Sequence, residues 1–514
     1  MSNLQGFCLG ATDNVWMNLI QRLADEDRVR FSYIAGNEQV VSHYCAQGVL
    51  TDEIVSLYRG QFSNKSQLRT FEVDDSVLKE YQAAELTCME IADRMDQGYS
   101  FSRPERERMF ITFLDYWLNL LNGLKPDFII FTTTPHSVAE YSLYAIAKKR
   151  QIPVLMFMQI TAIQRVIALS DYQQMDATFI NTYQKLVKEN HARVELPDDI
   201  EEYLNKFESD YESAMPVYLK KRLLAENMNK KQTINTIQER INRIINLIRP
   251  TRKSAPKNYL KMPFESFESA RGLDANQWRS YKAWAKQYKE KLLAEYDSIS
   301  ENADFDLSYV YAPLHYQPER TTCPEAERYS NQVLMLKVLA QSLPDNWLIY
   351  IKENPTQLLP NTAHGERGRY AYFYKDLLKI EKIRIISMRE DPFMLIDNSQ
   401  MVATLTGTTG WESILRGKFV LCFGNAWYEN CEGVFSVRNV QQCKDAIDKA
   451  MSIDSIDKER IRKYLAAIEH YSFKGFLRVK RYDDQAAGEI NNIENMFHMI
   501  SEFTQSGMNK THEM

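Results

Sequence analysis

Repeatedly along this chain a short apolar run stops at a polar loop, and the loop opens a helix. Strands that alternate with helices in this way build a mainly parallel sheet covered on both faces. The carboxyl ends of such strands share one edge, so their polar loops collect where ligands bind. The pattern is sharpest at residues 401–415, where Met-Val-Ala-Thr-Leu runs through Thr406, Gly407, Thr408, Thr409 and Gly410 into Trp411-Glu412-Ser413-Ile414-Leu415. Residues 348–351 end in the same manner at Lys352, Glu353, Asn354 and Pro355. Residues 307–312 end at a loop that carries His315, Gln317 and Glu319. Strands are also expected at 383–387 and 419–423.

The first part of the chain repeats the rhythm. Strands are expected at 6–9, 30–35, 128–131 and 151–158, with a helix near 15–23 and another from Pro135-His136-Ser137 to Arg150. At 514 residues the chain is too long for one ordinary core. The expected division is an α/β domain over 1–185, a helical and partly basic segment over 186–300, a second α/β domain over 301–465, and terminal helices over 466–514. A bilobal enzyme with its ligand in the cleft follows from two such halves.

Composition narrows the function. With 44% hydrophobic and 25% charged residues the chain reads as soluble and globular. A net charge of −5 argues against a general nucleic-acid binder. No apolar run approaches the roughly 20 residues that span a bilayer. The amino terminus has neither a charged n-region nor a long apolar h-region, so no signal peptide is expected. Seven cysteines are scattered without a Cys-x-x-Cys pair, which fits reduced thiols and a cytoplasmic location.

Within the helical segment, Ile234, Ile237, Ile241, Ile244, Ile245 and Ile248 repeat on one helix face that ends at Pro250. Lys220, Lys221, Arg222, Arg252 and Lys253 are among the basic residues around it. Two readings stand: an amphipathic helix with a solvated basic face, or a surface that rests on anionic lipid at the inner face of the cytoplasmic membrane.

Each polar loop has a chemical reading and a plainer one. The Thr406-Gly407-Thr408-Thr409 loop at a helix N-terminus offers free N–H groups and hydroxyls to an anion such as phosphate. Glu412, expected in the first helical turn, could accept two hydrogen bonds from a ribose diol; an acidic residue there is also favourable for the helix dipole alone. Lys352 could neutralise phosphate, with Glu353 and Asn354 beside it, although charged strand ends are common. His315, Gln317 and Glu319 would share one side of an extended backbone as acid/base or diol-binding groups. In the first domain, Asp13, His136 and Glu140 could activate an acceptor hydroxyl, and Asp13 is equally a helix N-cap. Asp304-Phe-Asp306 precedes its strand and reads as a solvated turn; no cluster of metal-ligand spacing is found.

Taken in order, Asp13-Asn-Val-Trp-Met-Asn-Leu, Leu314-His-Tyr-Gln-Pro-Glu-Arg-Thr-Thr, Tyr350-Ile-Lys-Glu-Asn-Pro, Gly407-Thr-Thr-Gly-Trp-Glu and Phe423-Gly-Asn-Ala-Trp-Tyr resemble bacterial capsule and surface polysaccharide glycosyltransferases of GT-B type. That capsule-synthesis family includes Kdo transferases. The resemblance implies two Rossmann-like domains, the carboxyl-terminal one holding a nucleotide-sugar donor and the amino-terminal one a glycan or lipid-linked glycan acceptor. It implies no metal and no cofactor beyond a nucleotide-sugar co-substrate, expected to be CMP-linked Kdo or a nonulosonic acid. Similar proteins carry a Lys-Glu-His-Pro motif whose histidine lies near the donor phosphate. Asn354 occupies that place here and keeps a hydrogen-bond donor without a titratable proton. A UDP- or GDP-sugar transferase, an epimerase, and a non-catalytic scaffold of capsule assembly are the alternative readings.

Overall fold

The computed structural model describes residues 4–26, 28–63, 72–96, 101–189, 194–207, 275–359, 365–477 and 489–511. Two sheets organise it. The first runs β13 (Ser472–Lys474), β6 (Arg165–Leu169), β5 (Val154–Ile160), β4 (Phe128–Phe131), β1 (Leu4–Ala11), β2 (Val29–Gly36) and β3 (Leu50–Glu53). The second runs β12 (Val434–Ser436), β11 (Val420–Cys422), β10 (Met401–Thr404), β7 (Tyr309–Pro313), β8 (Leu348–Lys352) and β9 (Ile383–Ile385). All pairings in the second sheet are parallel. In the first, only β6 and β13 run against their neighbours.

The strand order decides the fold. In each sheet the chain builds three strands outward in one direction, then crosses back to lay the next strand beside the first. This is the doubly wound, Rossmann-like order, and its switch points fall between β1 and β4 and between β7 and β10. Helices on both faces bury the central strands, so β4 and β10 are buried at every position. The sequence FIIF of β4 can be wholly apolar for that reason. Tyr309 and Tyr350 stack across β7 and β8, with centroids 4.0 Å apart.

The two Rossmann-like units are joined by more than the chain between them. Helix Lys458–Tyr471 leaves the second unit and packs along helix Ala177–Lys188, and β13 then extends the first sheet beside β6. The stretch 466–514, expected as helices only, therefore includes a strand; Ser472-Phe473-Lys474 is too short to show alternation. Met496, Phe497 and Ile500 of helix Glu489–Thr511 join Trp16, Leu19 and Phe128 in one core. Arg22 holds that helix through Glu494 at 2.5 Å and over the Phe497 ring at 4.1 Å.

Arg165 on β6 is the junction of these crossings. It is 1% exposed, and its guanidinium bonds Glu469 at 2.6 Å and Asp199 at 3.0 Å. Asp199 belongs to helix Asp198–Lys206, on the path out of the first unit, and Glu469 to the helix that returns to it. Lys474 on β13 reaches the same Asp199 at 3.0 Å. The isoleucine stripe at 234–248 and the basic residues Lys220, Lys221, Arg222, Arg252 and Lys253 lie outside the described residues. Among the described residues no helix is long and apolar enough to cross a membrane.

The second unit contains a wholly buried ion pair. Glu353, immediately after β8, is gripped by Arg369 at 2.7 and 2.9 Å and accepts the Tyr374 hydroxyl at 2.6 Å. Removing one partner would leave the other charge buried without compensation, so Arg369→Met should cost about 3–5 kcal/mol. Denaturant unfolding followed by tryptophan fluorescence checks this; Glu353→Gln added to Arg369→Met should recover part of the loss.

Candidate functional site

The loops at the two switch points are linked through one segment, residues 320–321. In the second unit, β10 ends at Thr404 and the chain turns through Leu405, Thr406 and Gly407 into helix Thr408–Leu415. His315, from the loop after β7, lies against this turn. Its Nε2 accepts the Leu405 N–H at 2.9 Å and is 3.0 Å from Thr404 Oγ1. An acceptor Nε2 means that Nδ1 carries the proton. Burial, helped by nearby Arg369, pulls the His315 pKa down to about 4, so the ring is neutral at physiological pH. Gly407 is required by this contact, because a Cβ there would sit 2.6 Å from the imidazole Cε1.

Helix Thr408–Leu415 lies tightly on β10. A Cβ at Gly410 would meet the Tyr428 hydroxyl at 2.4 Å and Thr404 Cγ2 at 2.8 Å. The Tyr428 hydroxyl donates to the Gly407 carbonyl, and no side chain caps the helix. Its first N–H groups and the Thr408 and Thr409 positions are placed for an anion, as the loop sequence suggests. Glu412 is not in the first turn. The helix begins at Thr408, so Glu412 sits one turn deeper, is 7% exposed and is hydrogen-bonded by the Thr408 side chain. Burial raises its carboxyl pKa to about 7.

Other expected donor-binding residues are committed to the fold. Glu353 belongs to the buried Arg369 pair and is not available to a ligand. Gln317 uses its side chain on the Ser330 carbonyl at 2.5 Å and on Arg369 at 3.0 Å. A bend at residues 317 and 318 interrupts the expected extended run, and the three side chains have separate partners: His315 takes the Leu405 N–H, Gln317 the Ser330 carbonyl, and Glu319 the Thr321 hydroxyl. Glu319 is exposed and accepts the Thr321 hydroxyl at 3.1 Å. Lys352 is 4% exposed and gives its ammonium to the Glu390 carbonyl at 2.5 Å, and burial lowers its pKa to about 8. Asn354 caps its own turn, accepting from the Thr356 N–H at 2.9 Å and hydroxyl at 2.8 Å.

In the first unit, Asp13 is a helix N-cap that accepts the Trp16 N–H at 3.2 Å. His136 and Glu140 form a pair at the end of β4. Ser137 and Glu140 make a capping box for helix Val138–Lys149, with Glu140 Oε2 accepting the N–H groups of His136 and Ser137 at 3.2 and 3.1 Å. The other Glu140 oxygen accepts the Tyr58 hydroxyl at 2.5 Å. Burial would raise this carboxyl, but His136 and the hydrogen bonds outweigh it and hold it below its usual range. His136 Nδ1 lies 2.8 Å from the Thr134 carbonyl and 3.4 Å from Glu140 Oε2. A carbonyl only accepts, so Nδ1 carries the proton and Nε2 keeps its lone pair. Burial, with Arg94 and Arg320 nearby, brings this histidine to about pKa 4 despite Glu140.

A segment absent from the expected site joins the two switch points. The Arg320 guanidinium donates to Thr133 Oγ1 at 3.2 Å, beside His136, and the neighbouring Thr321 carbonyl accepts the Thr406 hydroxyl at 2.7 Å. Arg94, from helix Gln82–Met95, donates to the His136 carbonyl, and Arg367 donates to the Arg94 carbonyl at 3.2 Å. An arginine on a polar helix looks like any solvated residue in sequence, so nothing marked Arg94. Among the described residues no three His, Cys, Asp or Glu are grouped to hold a metal ion.

Comparison with known families falls on the second unit. Residues 320–464 match the family described as capsule polysaccharide biosynthesis protein. The match contains Lys352–Asn354 and the Gly407–Glu412 loop and stops short of His315, His136 and Glu140. It bears out the resemblance to capsule-synthesis proteins, and the two sheets bear out the α/β, two-domain fold. Among solved structures the chain is similar to the beta Kdo 2,7 transferase KpsC of Thermosulfurimonas dismutans, at 13% identity over 74% of this chain and 88% of that one, with a TM-score of 0.30. It is also similar to UDP-GlcNAc 2-epimerase of Methanocaldococcus jannaschii, at 13% identity over 91% and 99% of the two chains, TM-score 0.23. A third is the spinosyn rhamnosyltransferase SpnG, at 10% identity over 92% and 98%, TM-score 0.22. Likenesses this distant do not bear on the reaction. No curated protein matches the chain.

Glu412 gives a pH test. Its folded pKa near 7 lies above the ordinary 4.5, so the folded protein binds its proton more tightly than the unfolded chain. The resulting stabilisation is present below about pH 4.5 and is lost as pH rises to about 7. Glu412→Gln should remove that loss, matching the wild type at pH 4 and exceeding it in thermal midpoint at pH 8.

Proposed function

We propose that this protein is a GT-B-type glycosyltransferase of surface polysaccharide synthesis that needs no metal. It moves an acidic sugar from a CMP-linked donor to a hydroxyl of a glycan or glycolipid acceptor. The observation that carries the reading is that one segment, Arg320–Thr321, bonds both Thr133 in the loop of His136–Glu140 after β4 and Thr406 in the Gly407 turn after β10. A base and an anion cradle facing each other across one cleft suit group transfer between a phosphate-activated donor and a hydroxyl.

In this reading the donor phosphate rests at the N-terminus of helix Thr408–Leu415, where backbone N–H groups and the Thr408 and Thr409 hydroxyls receive it. A CMP leaving group carries one phosphate, and fixed donors suffice to stabilise the charge that develops there. His315, proton on Nδ1, stands beside this turn as a neutral donor. Glu412, whose pKa burial raises to about 7, offers a carboxyl that in its protonated form both donates to and accepts from a ribose diol. Across the cleft His136 Nε2 takes the proton of the acceptor hydroxyl as it attacks the anomeric carbon. Glu140 and the Thr134 carbonyl hold the ring in the tautomer this requires and stabilise the imidazolium that forms. The protein acts at the inner face of the cytoplasmic membrane, reached by peripheral contact with anionic lipid.

Hydrolysis of CMP-, UDP- and GDP-sugars by the purified chain tests the donor. Cleavage of CMP-sugars alone supports the reading, cleavage of UDP- or GDP-sugars reassigns the donor, and nucleotide binding without cleavage points to a scaffold. Transfer by His136→Gln should fall about 100- to 10,000-fold in kcat with donor affinity unchanged. A variant that turns over normally would remove the histidine from the mechanism.

A further inference from the structure

Cationic side chains converge on the His136 loop from both units. Arg94 comes from helix Gln82–Met95 of the first unit, and its guanidinium bonds the His136 carbonyl. Arg320 comes from the second unit and bonds Thr133, three residues before His136. Arg367 adds a third guanidinium by donating to the Arg94 carbonyl. The carboxylates facing this group are already engaged: Glu325 pairs with Arg320 at 3.0 Å, and Glu140 holds Tyr58 and the capping box. The Cys323 thiol nearby is pushed up to about 12 by burial and stays neutral. Arg94 has no carboxylate within ion-pair distance among the described residues, and its Nε is buried without a hydrogen-bond partner. A guanidinium nitrogen buried without a hydrogen-bond partner is costly unless something else supplies an acceptor.

We propose that Arg94 and Arg320 form a clamp for an anionic substituent of the acceptor, a carboxylate or a phosphate, seated next to the hydroxyl that His136 activates. The inference rests on the transferase reading for its geometry and adds that the acceptor is acidic. Guanidinium forks match both anions in bidentate fashion, which fixes orientation as well as affinity. The clamp draws one arginine from each unit, so an anionic acceptor also links the two halves of the cleft. Charge on the acceptor has a second effect. Arg94 and Arg320 both disfavour the protonated form of His136, and neutralising them raises the affinity of Nε2 for a proton as the acceptor arrives.

The test uses oligosaccharides cut from the source organism's surface polysaccharide. Calorimetry on the full chain without donor compares the native fragments with the same fragments after carbodiimide amidation of carboxylates or removal of phosphates. The wild type should lose on the order of tenfold in affinity in whichever arm destroys the recognised anion. Arg94→Gln and Arg320→Gln should bind native and neutralised fragments alike, with Arg94→Lys recovering part of the preference and thermal midpoints confirming folded variants. Wild-type binding that is absent or indifferent to both treatments, or variants that keep the preference, would overturn the clamp. Donor hydrolysis measured separately keeps the two readings apart, since fragment binding lost in Arg94→Gln stands even where no CMP-sugar is cleaved.

Discussion

The Arg165 guanidinium, buried on β6 and held by Asp199 and Glu469, joins the two chain crossings that link the units. A charge this deep is tolerable only with both carboxylates in place. One sits on the path out of the first unit, the other on the helix that returns to it. The same side chain thus ties both crossings between the units to the edge of the first sheet. The Arg320–Thr133 and Thr406–Thr321 bonds are directional and add a second link between the two units.

The sheet architecture was legible because it is carried by local patterns. An apolar run buried on both faces, as in β4 and β10, needs no partner to be recognised, and Gly/Thr loops announce the turn that follows. Short or antiparallel pieces were not. β3 and β13 are too brief to alternate, and β6 pairs backward in a hairpin inside an otherwise parallel sheet.

The site was half legible for a related reason. Gly407 and His315 could be placed by their position at strand ends; the structure gives a steric cause for the first and hydrogen bonds for the second. Glu353 looked equally well placed, yet Arg369, sixteen residues on, turns it into a structural ion pair. Sequence shows that a charge exists and not what neutralises it. Glu412 lies deeper than its sequence position suggests: a helix that starts at Thr408 carries it one turn inward, where burial raises its pKa. Asp13 followed the plainer of its two expectations, a cap. Arg94 carried no mark at all, because its meaning comes from a loop forty residues away and from arginines of the other unit.

The strand β13 and the terminal helix have a consequence for biosynthesis. The first sheet ends at β6 until roughly 300 further residues have been made and Ser472–Lys474 can pair with it. At ordinary translation rates that wait is on the order of tens of seconds, with an unpaired strand edge and the apolar surface around Trp16 and Phe128 open to solvent. The emerging chain is thus exposed to strand-edge association for most of its synthesis. Shielding by chaperones during that interval matters more here than in a two-domain protein whose first half closes on itself.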